Sequence, residues 1–154
     1  MRALKLAASC AFSVLVALGQ TIAVNYPSNH GYRFVRITLD GFREHVFDVT
    51  DHGVAVRMKG ILLERFLWTA GWDHRPESER PRTRVRVEGG GHAATFNLDE
   101  IVPGSFRKRG LLIRERDGKP LPQEECPLLV VLDDHGAVIQ TIRGVTGIRV
   151  FVLP

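Results

Sequence analysis

The sequence predicts an α+β domain, in which a β-rich mixed sheet is accompanied by one or two short helices. Three observations predict this class: several stretches alternate apolar and polar residues, one stretch has helical apolar spacing, and turn-forming glycines and prolines separate them. The chain has 154 residues, of which 44% are hydrophobic and 25% charged. This length and balance are typical of a single folded domain.

The first alternating stretch covers residues 32–40, where Val35, Ile37 and Leu39 share one side of an extended chain. Asp40-Gly41 is a turn signal, and residues 45–50 resume extended character. We therefore expect residues 32–50 to form a β-hairpin. A further short strand is predicted to begin at Val54.

Residues 60–71 are the best helix candidate of the chain. Leu62, Phe66 and Ala70 lie four residues apart and share one face, and Gly71 is placed to end the helix. Trp68 and Trp72, at the end of this helix, are predicted to be core residues, and the alternative is an exposed patch for a partner. Residues 73–82 are polar and contain two prolines, which indicates a surface loop.

The second half of the chain contains the clearest strands. In residues 83–87 the side chains of Thr83, Val85 and Val87 would face the core, and Arg84 and Arg86 would face outward. Residues 93–98 would pair with this strand, and Asn97 would cap a helical turn. Residues 127–132 are apolar without alternation, which predicts a strand buried on both faces. The remaining strands are predicted at residues 111–116, 138–142 and 147–153.

The N-terminus has the pattern of a secretory signal peptide, which we assign to residues 1–24, with the domain at 25–154. Arg2 and Lys5 precede an uncharged apolar run, and small residues offer cleavage after Gly19 or Ala23. A membrane anchor is disfavoured because Gln20 interrupts the run. We expect a periplasmic or secreted protein, not integral to the membrane after cleavage. Loss of the two cations lowers the formal charge from +4 to +2, which gives no reason to expect nucleic acid as a partner.

The order of the segments is itself informative. A strand and short helix over residues 58–71 precede the strand pair at 83–101, the turn at 117–122 (DGKPLP), and the run that starts at Pro127. This ordered set resembles the sulfite-oxidase-type molybdopterin-binding domain, over residues 33–151. The resemblance implies a molybdopterin cofactor whose metal is held by one cysteine thiolate before the short helix.

The sequence departs from this family where the metal ligand is expected. Residues 48–60 contain no cysteine, and Gln140-Thr141 stands where the family often has a basic residue and a tryptophan. Cys126 lies beyond the turn, and we interpret it as a small half-buried residue. We therefore expect neither a metal ligand nor a catalytic residue, and no bound cofactor, with molybdopterin as the cofactor to test.

Four residues are the candidates for binding a ligand or cofactor: Arg84, Arg86, His92 and Arg143. Arginines can grip phosphate or carboxylate with two parallel hydrogen bonds, so a phosphate-bearing pterin would suit them. The alternative interpretation is a solvated strand face, offset in part by Glu88.

The function expected from these observations is an exported, non-redox module that binds a small anionic ligand or a periplasmic or membrane protein partner. One alternative is a molybdenum-dependent oxidoreductase that holds its cofactor without a protein thiolate or through Cys126. Another is an anion-binding protein that uses Arg84 and Arg86. A serine hydrolase has no support because Gly-x-Ser-x-Gly is absent, and no two histidines have the spacing of a helical zinc site.

Overall fold

Two β-sheets make up most of the protein. The computed structural model describes residues 21–73, 76–104 and 108–154. In these residues the strands are β1 (Thr21–Ser28), β2 (Gly31–Thr38), β3 (His45–Asp51), β4 (Val54–Leu62), β5 (Thr83–Gly89), β6 (His92–Asn97), β7 (Gly110–Arg116), β8 (Lys119–Pro120), β9 (Leu128–Leu132), β10 (Val138–Ile142) and β11 (Val145–Val152). The helices are α1 (Leu63–Ala70), α2 (Leu98–Ile101) and a 3₁₀ helix (Glu77–Arg82). The predicted β-rich architecture with few short helices is confirmed.

The first sheet has five strands in the order β2-β1-β11-β5-β6. Its pairs are antiparallel except for β1 and β11, which run parallel. β1 and β11 are joined in space although most of the chain lies between them, so this sheet forms only when both ends of the domain come together.

The second sheet has the order β10-β9-β7-β4-β3, and the two-residue strand β8 pairs with β7. It curls until its first and last strands meet. The Thr50 amide donates a hydrogen bond of 3.0 Å to the Gly136 carbonyl, and Thr50 forms a parallel bridge with Ala137, next to β10. A curled sheet encloses one of its own faces, and this one surrounds an apolar cluster.

The buried apolar residues form two clusters that share the strands of the second sheet. The larger lies between the sheets and beneath α1, and the smaller lies inside the curled second sheet. In β9, Leu129 and Val131 join the larger cluster, whereas Leu128, Val130 and Leu132 join the smaller. All five residues of β9 are buried, which confirms the prediction of a strand covered on both faces.

The expected hairpin over residues 32–50 is wrong. β2 pairs with β1 in the first sheet, whereas β3 pairs with β4 in the second. The turn at Asp40-Gly41 does reverse the chain, with Gly41 at φ 86°, but it passes the chain from one sheet to the other. Turn chemistry specifies a change of direction, and it does not specify which strand becomes the neighbour.

The helix begins three residues later than predicted, at Leu63, because Gly60, Ile61 and Leu62 complete β4. A Cβ atom at Gly60 would lie 2.0 Å from the Leu112 carbonyl oxygen of β7, so close approach of two backbones explains this glycine. The C-terminus is confirmed, since Gly71 adopts φ 103° and its amide donates to Trp68 O. Of the two tryptophans, Trp72 is buried as expected, but Trp68 is 61% exposed and the prediction for it is wrong.

The predicted signal peptide at residues 1–24 falls largely outside the described residues. Its last four residues, from Thr21, form the start of β1, where Ile22 and Val24 are fully buried. The boundary drawn at residue 24 therefore lies inside a core strand, and the folded part of the chain begins by residue 21.

The close approach at Gly60 gives a stability prediction. Replacing Gly60 with Ala should lower the free energy of unfolding by about 3 kcal/mol, because the added methyl group must displace the backbone of β7. Chemical denaturation with urea measures this loss.

The matched control is Gly147→Ala, also within a strand, where the nearest atom to an added Cβ is Glu88 Oε2 at 3.8 Å. This control should change the free energy of unfolding by less than about 0.5 kcal/mol. Equal losses in the two variants would contradict the assignment of Gly60 to a backbone contact.

Candidate binding surfaces

The solvent-facing side of the first sheet, called the outer face here, is the most distinctive surface of the protein. In β5 the residues Thr83, Val85 and Val87 are buried, so Arg84 and Arg86 project outward as predicted. Strand register then identifies their neighbours on the same side, because side chains at paired positions point to the same face. The outer face comprises Asn25, Tyr32, Phe34, Arg36, Arg84, Arg86, Glu88, Thr95, Asn97, Arg149 and Phe151.

The cations of the outer face have few acidic partners. Four arginines and one glutamate give it a formal charge of +3. Arg86 pairs with Glu88 at 2.9 Å, and Arg84 donates to the carbonyls of Pro81 and Thr83. No carboxylate of the described residues forms an ion pair with Arg36, Arg84 or Arg149.

Aromatic rings take the place of carboxylates beside two of these arginines. The Arg36 guanidinium carbon lies 5.8 Å from the centroid of the Phe34 ring. The Arg149 guanidinium carbon lies 5.9 Å from the Tyr32 ring and 5.5 Å from the Phe151 ring. Such cation–π contacts hold a guanidinium in position without neutralising its charge.

On β4 and β7 of the second sheet, the cations form ion pairs with carboxylates. Arg57 pairs with Asp48 at 3.4 Å, and Arg116 pairs with Asp51 at 2.9 Å. Lys59 and Arg114 both contact Glu44, and each has a second carboxylate, Glu115 and Asp40 respectively. The cations of β4 and β7 are therefore compensated by carboxylates, whereas three of the four arginines of the outer face are not.

The four residues predicted to bind a ligand do not form one site. Arg84 and Arg86 lie on the outer face. His92 is opposite Gly89 at the end of β6, and strand alternation directs it to the other side of the sheet. Arg143 lies in the turn between β10 and β11, where it pairs with Glu125 at 3.3 Å.

The turns around Arg143, His92 and Cys126 nevertheless converge at one end of the sheets. The Gly144 amide donates to Glu125 O at 3.0 Å, and the Val145 amide donates to Pro127 O at 2.9 Å. A Cβ atom at Gly90 would lie 3.1 Å from Arg143 O. The segment around Cys126 is thus joined by backbone hydrogen bonds to the β10–β11 turn.

Cys126 is half-buried in this region and lies beside Arg114. Burial raises the pKa of the Cys126 thiol above its ordinary value, and the nearby Arg114 guanidinium opposes this rise through its charge and a hydrogen bond. Glu44 adds to the rise. The thiol is therefore protonated at neutral pH, which supports the interpretation of Cys126 as a packing residue.

These residues do not fit a molybdenum centre of the family type. That centre needs a thiolate before α1, and residues 48–60 contain no cysteine. The one histidine in residues 48–60 is His52, in the turn between β3 and β4, and its side chain is 88% exposed. Cys126 lies after the turn at residues 117–122 and not before α1, so it does not occupy the position where the family holds its metal. Among the described residues, no three His, Cys, Asp or Glu side chains converge as a metal site would require.

Sequence reasoning missed half of the outer face. Arg36, Tyr32 and Phe34 were visible in an alternating stretch, but their neighbours across the sheet were not. Arg149 and Phe151 lie beside them because β11 pairs with β1. No local sequence pattern predicts a parallel pair between strands at the two ends of the domain. A cation two residues from an aromatic, as in Arg36 and Phe34, was the available signal.

The comparisons with known proteins assign no family. The sequence matches no protein-family model, and no curated protein is significantly similar to it. Within the described ranges, no helix has the length and apolar character required to span a bilayer.

The raised pKa of Cys126 predicts a pH-dependent stability difference. The unfolded chain releases the thiol proton at a lower pH than the native protein, so raising the pH through the ordinary thiol pKa, about 8.5, favours unfolding. Cys126→Ala removes this loss. The free energy of unfolding of wild type should therefore fall, relative to that of Cys126→Ala, between neutral and alkaline pH.

The same property is measured directly by alkylation of Cys126 with iodoacetamide under reducing conditions. The midpoint of the rate against pH should lie above that of the urea-unfolded chain. A midpoint at or below that of the unfolded chain would contradict the assignment of a raised thiol pKa.

Proposed function

We propose that this protein is a non-redox binding module that takes anionic ligands on the outer face of its first sheet. The observation that carries the proposal is the charge asymmetry between the sheets. The cations of β4 and β7 in the second sheet are held by carboxylates, whereas Arg36, Arg84 and Arg149 have none. Surface guanidinium groups without acidic partners are available to an incoming anion.

The register of the first sheet strengthens the argument. Arg86 and Arg149 occupy directly opposed positions on β5 and β11. Like charges in opposed positions destabilise a sheet, and Glu88 offsets only one of them. An anion bound between the two guanidinium groups would relieve this repulsion, and each group could donate two parallel hydrogen bonds to phosphate, sulfate or carboxylate.

For the fold, we propose a relative of the sulfite-oxidase-type molybdopterin-binding domain. The support is the order of elements: β4 leads into α1, then β5 and β6 pair, and β7 precedes the tight turn and β9. Asp117 and Gly118 have φ 49° and 77°, as a two-residue hairpin turn requires. The absence of a cysteine from residues 48–60 makes the non-redox role the better supported one.

Export remains part of the proposal, with one refinement. Cleavage after Ala23 would remove Ile22, which is fully buried in β1. Cleavage after Gly19 would leave β1 whole. We propose the site after Gly19, with Gln20 as the first residue of the mature protein.

Anion binding is tested on immobilised heparin, a polyanion that probes accessible guanidinium groups. Bound protein is eluted with increasing salt. Wild type should be retained, and Arg86→Ser combined with Arg149→Ser should elute at clearly lower salt. Retention should weaken because two cations are removed from one face: Arg149, which has no carboxylate partner, and Arg86, which is partly offset by Glu88.

The matched control combines Arg57→Ser with Arg116→Ser on the second sheet. Both double variants lower the formal charge by two, so only the location of the charge differs. The control should elute close to wild type. Equal shifts of the two double variants would show a general charge effect and overturn the outer face as the site.

The non-redox assignment is tested by elemental analysis of protein purified from cells supplied with molybdate. Molybdenum should be far below one atom per chain, because no thiolate donor is present to hold it. Stoichiometric molybdenum that disappears in Cys126→Ser would instead establish the oxidoreductase alternative through Cys126. The intact mass of the same sample shows whether the chain starts at Gln20.

A further inference from the structure

We propose that the outer face docks on the surface of an anionic phospholipid bilayer. This inference rests on the proposed anion-binding function and names the source of the anion as lipid phosphate. Three properties of the outer face lead to it: the spread of its cations, the exposed aromatic residues at its edge, and the contacts between the two.

The cations are too widely spread for one small ligand. Arg36 lies on β2 and Arg86 on β5, three strand spacings apart in the order β2-β1-β11-β5. At about 4.8 Å per spacing this separation is about 14 Å, and Arg149 lies between them on β11. Small anions are usually bound in concave sites that surround them. An open sheet face with cations at this spacing suits a planar array of phosphates.

The edge strand β2 presents aromatic side chains to solvent. Tyr32 is 53% exposed and Phe34 is 59% exposed. They follow each other on one side of the strand, and Phe151, which is partly exposed, lies on the same face. Amphipathic and aromatic side chains of this kind concentrate at the level of lipid headgroups, where the ring reaches the acyl boundary. Besides holding the guanidinium groups, two rings exposed to this extent offer apolar area that an interface with lipid would bury.

The arrangement of arginines over rings distinguishes a bilayer from single-stranded nucleic acid. Nucleic-acid platforms stack bases on the faces of aromatic rings. Here Arg36 lies over Phe34, and Arg149 lies near both Tyr32 and Phe151, so guanidinium groups already compete for those ring faces. At a bilayer the same pairs are favourable, because the guanidinium can contact phosphate while the ring edge enters the interface.

The rest of the protein gives this docking a single orientation. The cations of β4 and β7 are paired with Asp48, Asp51, Glu44, Glu115 and Asp40, so the second sheet offers an anionic surface little net attraction. Since the Debye length at physiological salt is about 8 Å, only charges on the near side act on the bilayer. The outer face would therefore be the side that faces the lipid.

The proposal is tested by co-sedimentation with vesicles of phosphatidylglycerol mixed with phosphatidylcholine, and with vesicles of phosphatidylcholine alone. Wild type should bind the anionic vesicles only, and added salt should weaken binding. Arg86→Ser combined with Arg149→Ser should reduce partitioning by about 30-fold, since each basic residue near an anionic membrane contributes about a factor of five. Arg57→Ser combined with Arg116→Ser should bind as wild type does.

A second variant separates lipid docking from simple anion binding. Tyr32→Ser combined with Phe34→Ser keeps every charge, so heparin retention should be unchanged, while vesicle partitioning should fall by about 10-fold through loss of apolar burial. The four positions substituted in the two outer-face variants, Tyr32, Phe34, Arg86 and Arg149, are exposed. Unchanged circular dichroism spectra and unchanged urea midpoints would verify that the variants fold. If this variant partitions as wild type does, the bilayer proposal is overturned.

Two further outcomes decide between the proposals. Retention on heparin without vesicle binding would overturn bilayer docking and leave the anion-binding function standing. Absence of both would overturn both. Tighter binding to a single-stranded oligothymidylate than to anionic vesicles at equal salt would identify nucleic acid as the occupant and overturn the bilayer.

Discussion

The burial of β7 and β9 on both faces is the constraint on which the rest of the structure depends. Leu111 and Ile113 of β7 face the smaller apolar cluster, while Leu112 faces the larger. A strand that is apolar on both sides must lie in the middle of the molecule, with a layer of apolar side chains on each side. The second sheet supplies one layer by curling on itself, and the first sheet supplies the other. β7 and β9 are thus the central strands, and both apolar clusters pack against them.

This arrangement leaves one side of the first sheet in water and explains where recognition can occur. Its inner side contributes Ile22, Val24, Val85, Val87 and Val150 to the larger cluster. Its outer side needs only to remain soluble, for which interspersed charges of both signs would suffice. It has instead four arginines and one glutamate, with two of the arginines directly opposed. Stability does not account for this pattern, because opposed like charges weaken a sheet. The anion binding proposed above would account for it.

The sequence predicted the parts of the fold that depend on local patterns. The outward direction of Arg84 and Arg86 followed from strict alternation, and the burial of β9 followed from its absence. The end of α1 at Gly71 followed from a glycine at the correct position. These features depend on residues close together in the chain, so each could be derived without knowledge of the tertiary structure.

The errors arose where distant segments decide the local structure. Gly60 was included in the helix because its need to avoid the Leu112 carbonyl is visible only when β4 and β7 are paired. β2 and β3 were joined as a hairpin because β1, the true neighbour of β2, overlapped the predicted signal peptide. The candidate site was also incomplete because pairing between distant strands is not visible in the sequence. Arg84 and Arg86 were identified, but Arg149 and the aromatic side chains joined them only through β1 and β11.

The environment of Cys126 connects the missing metal ligand to the choice of function. Its thiol is kept protonated by burial, and its nearest cation, Arg114, is already bound by Asp40 and Glu44. An unbound thiol with a raised pKa is a weak nucleophile at neutral pH, because the thiolate is the reactive form. The anion binding proposed above needs accessible cations rather than a reactive thiol. The first sheet supplies such cations. The absence of a cysteine from residues 48–60 and the open arginines of the outer face therefore favour the same proposed binding role.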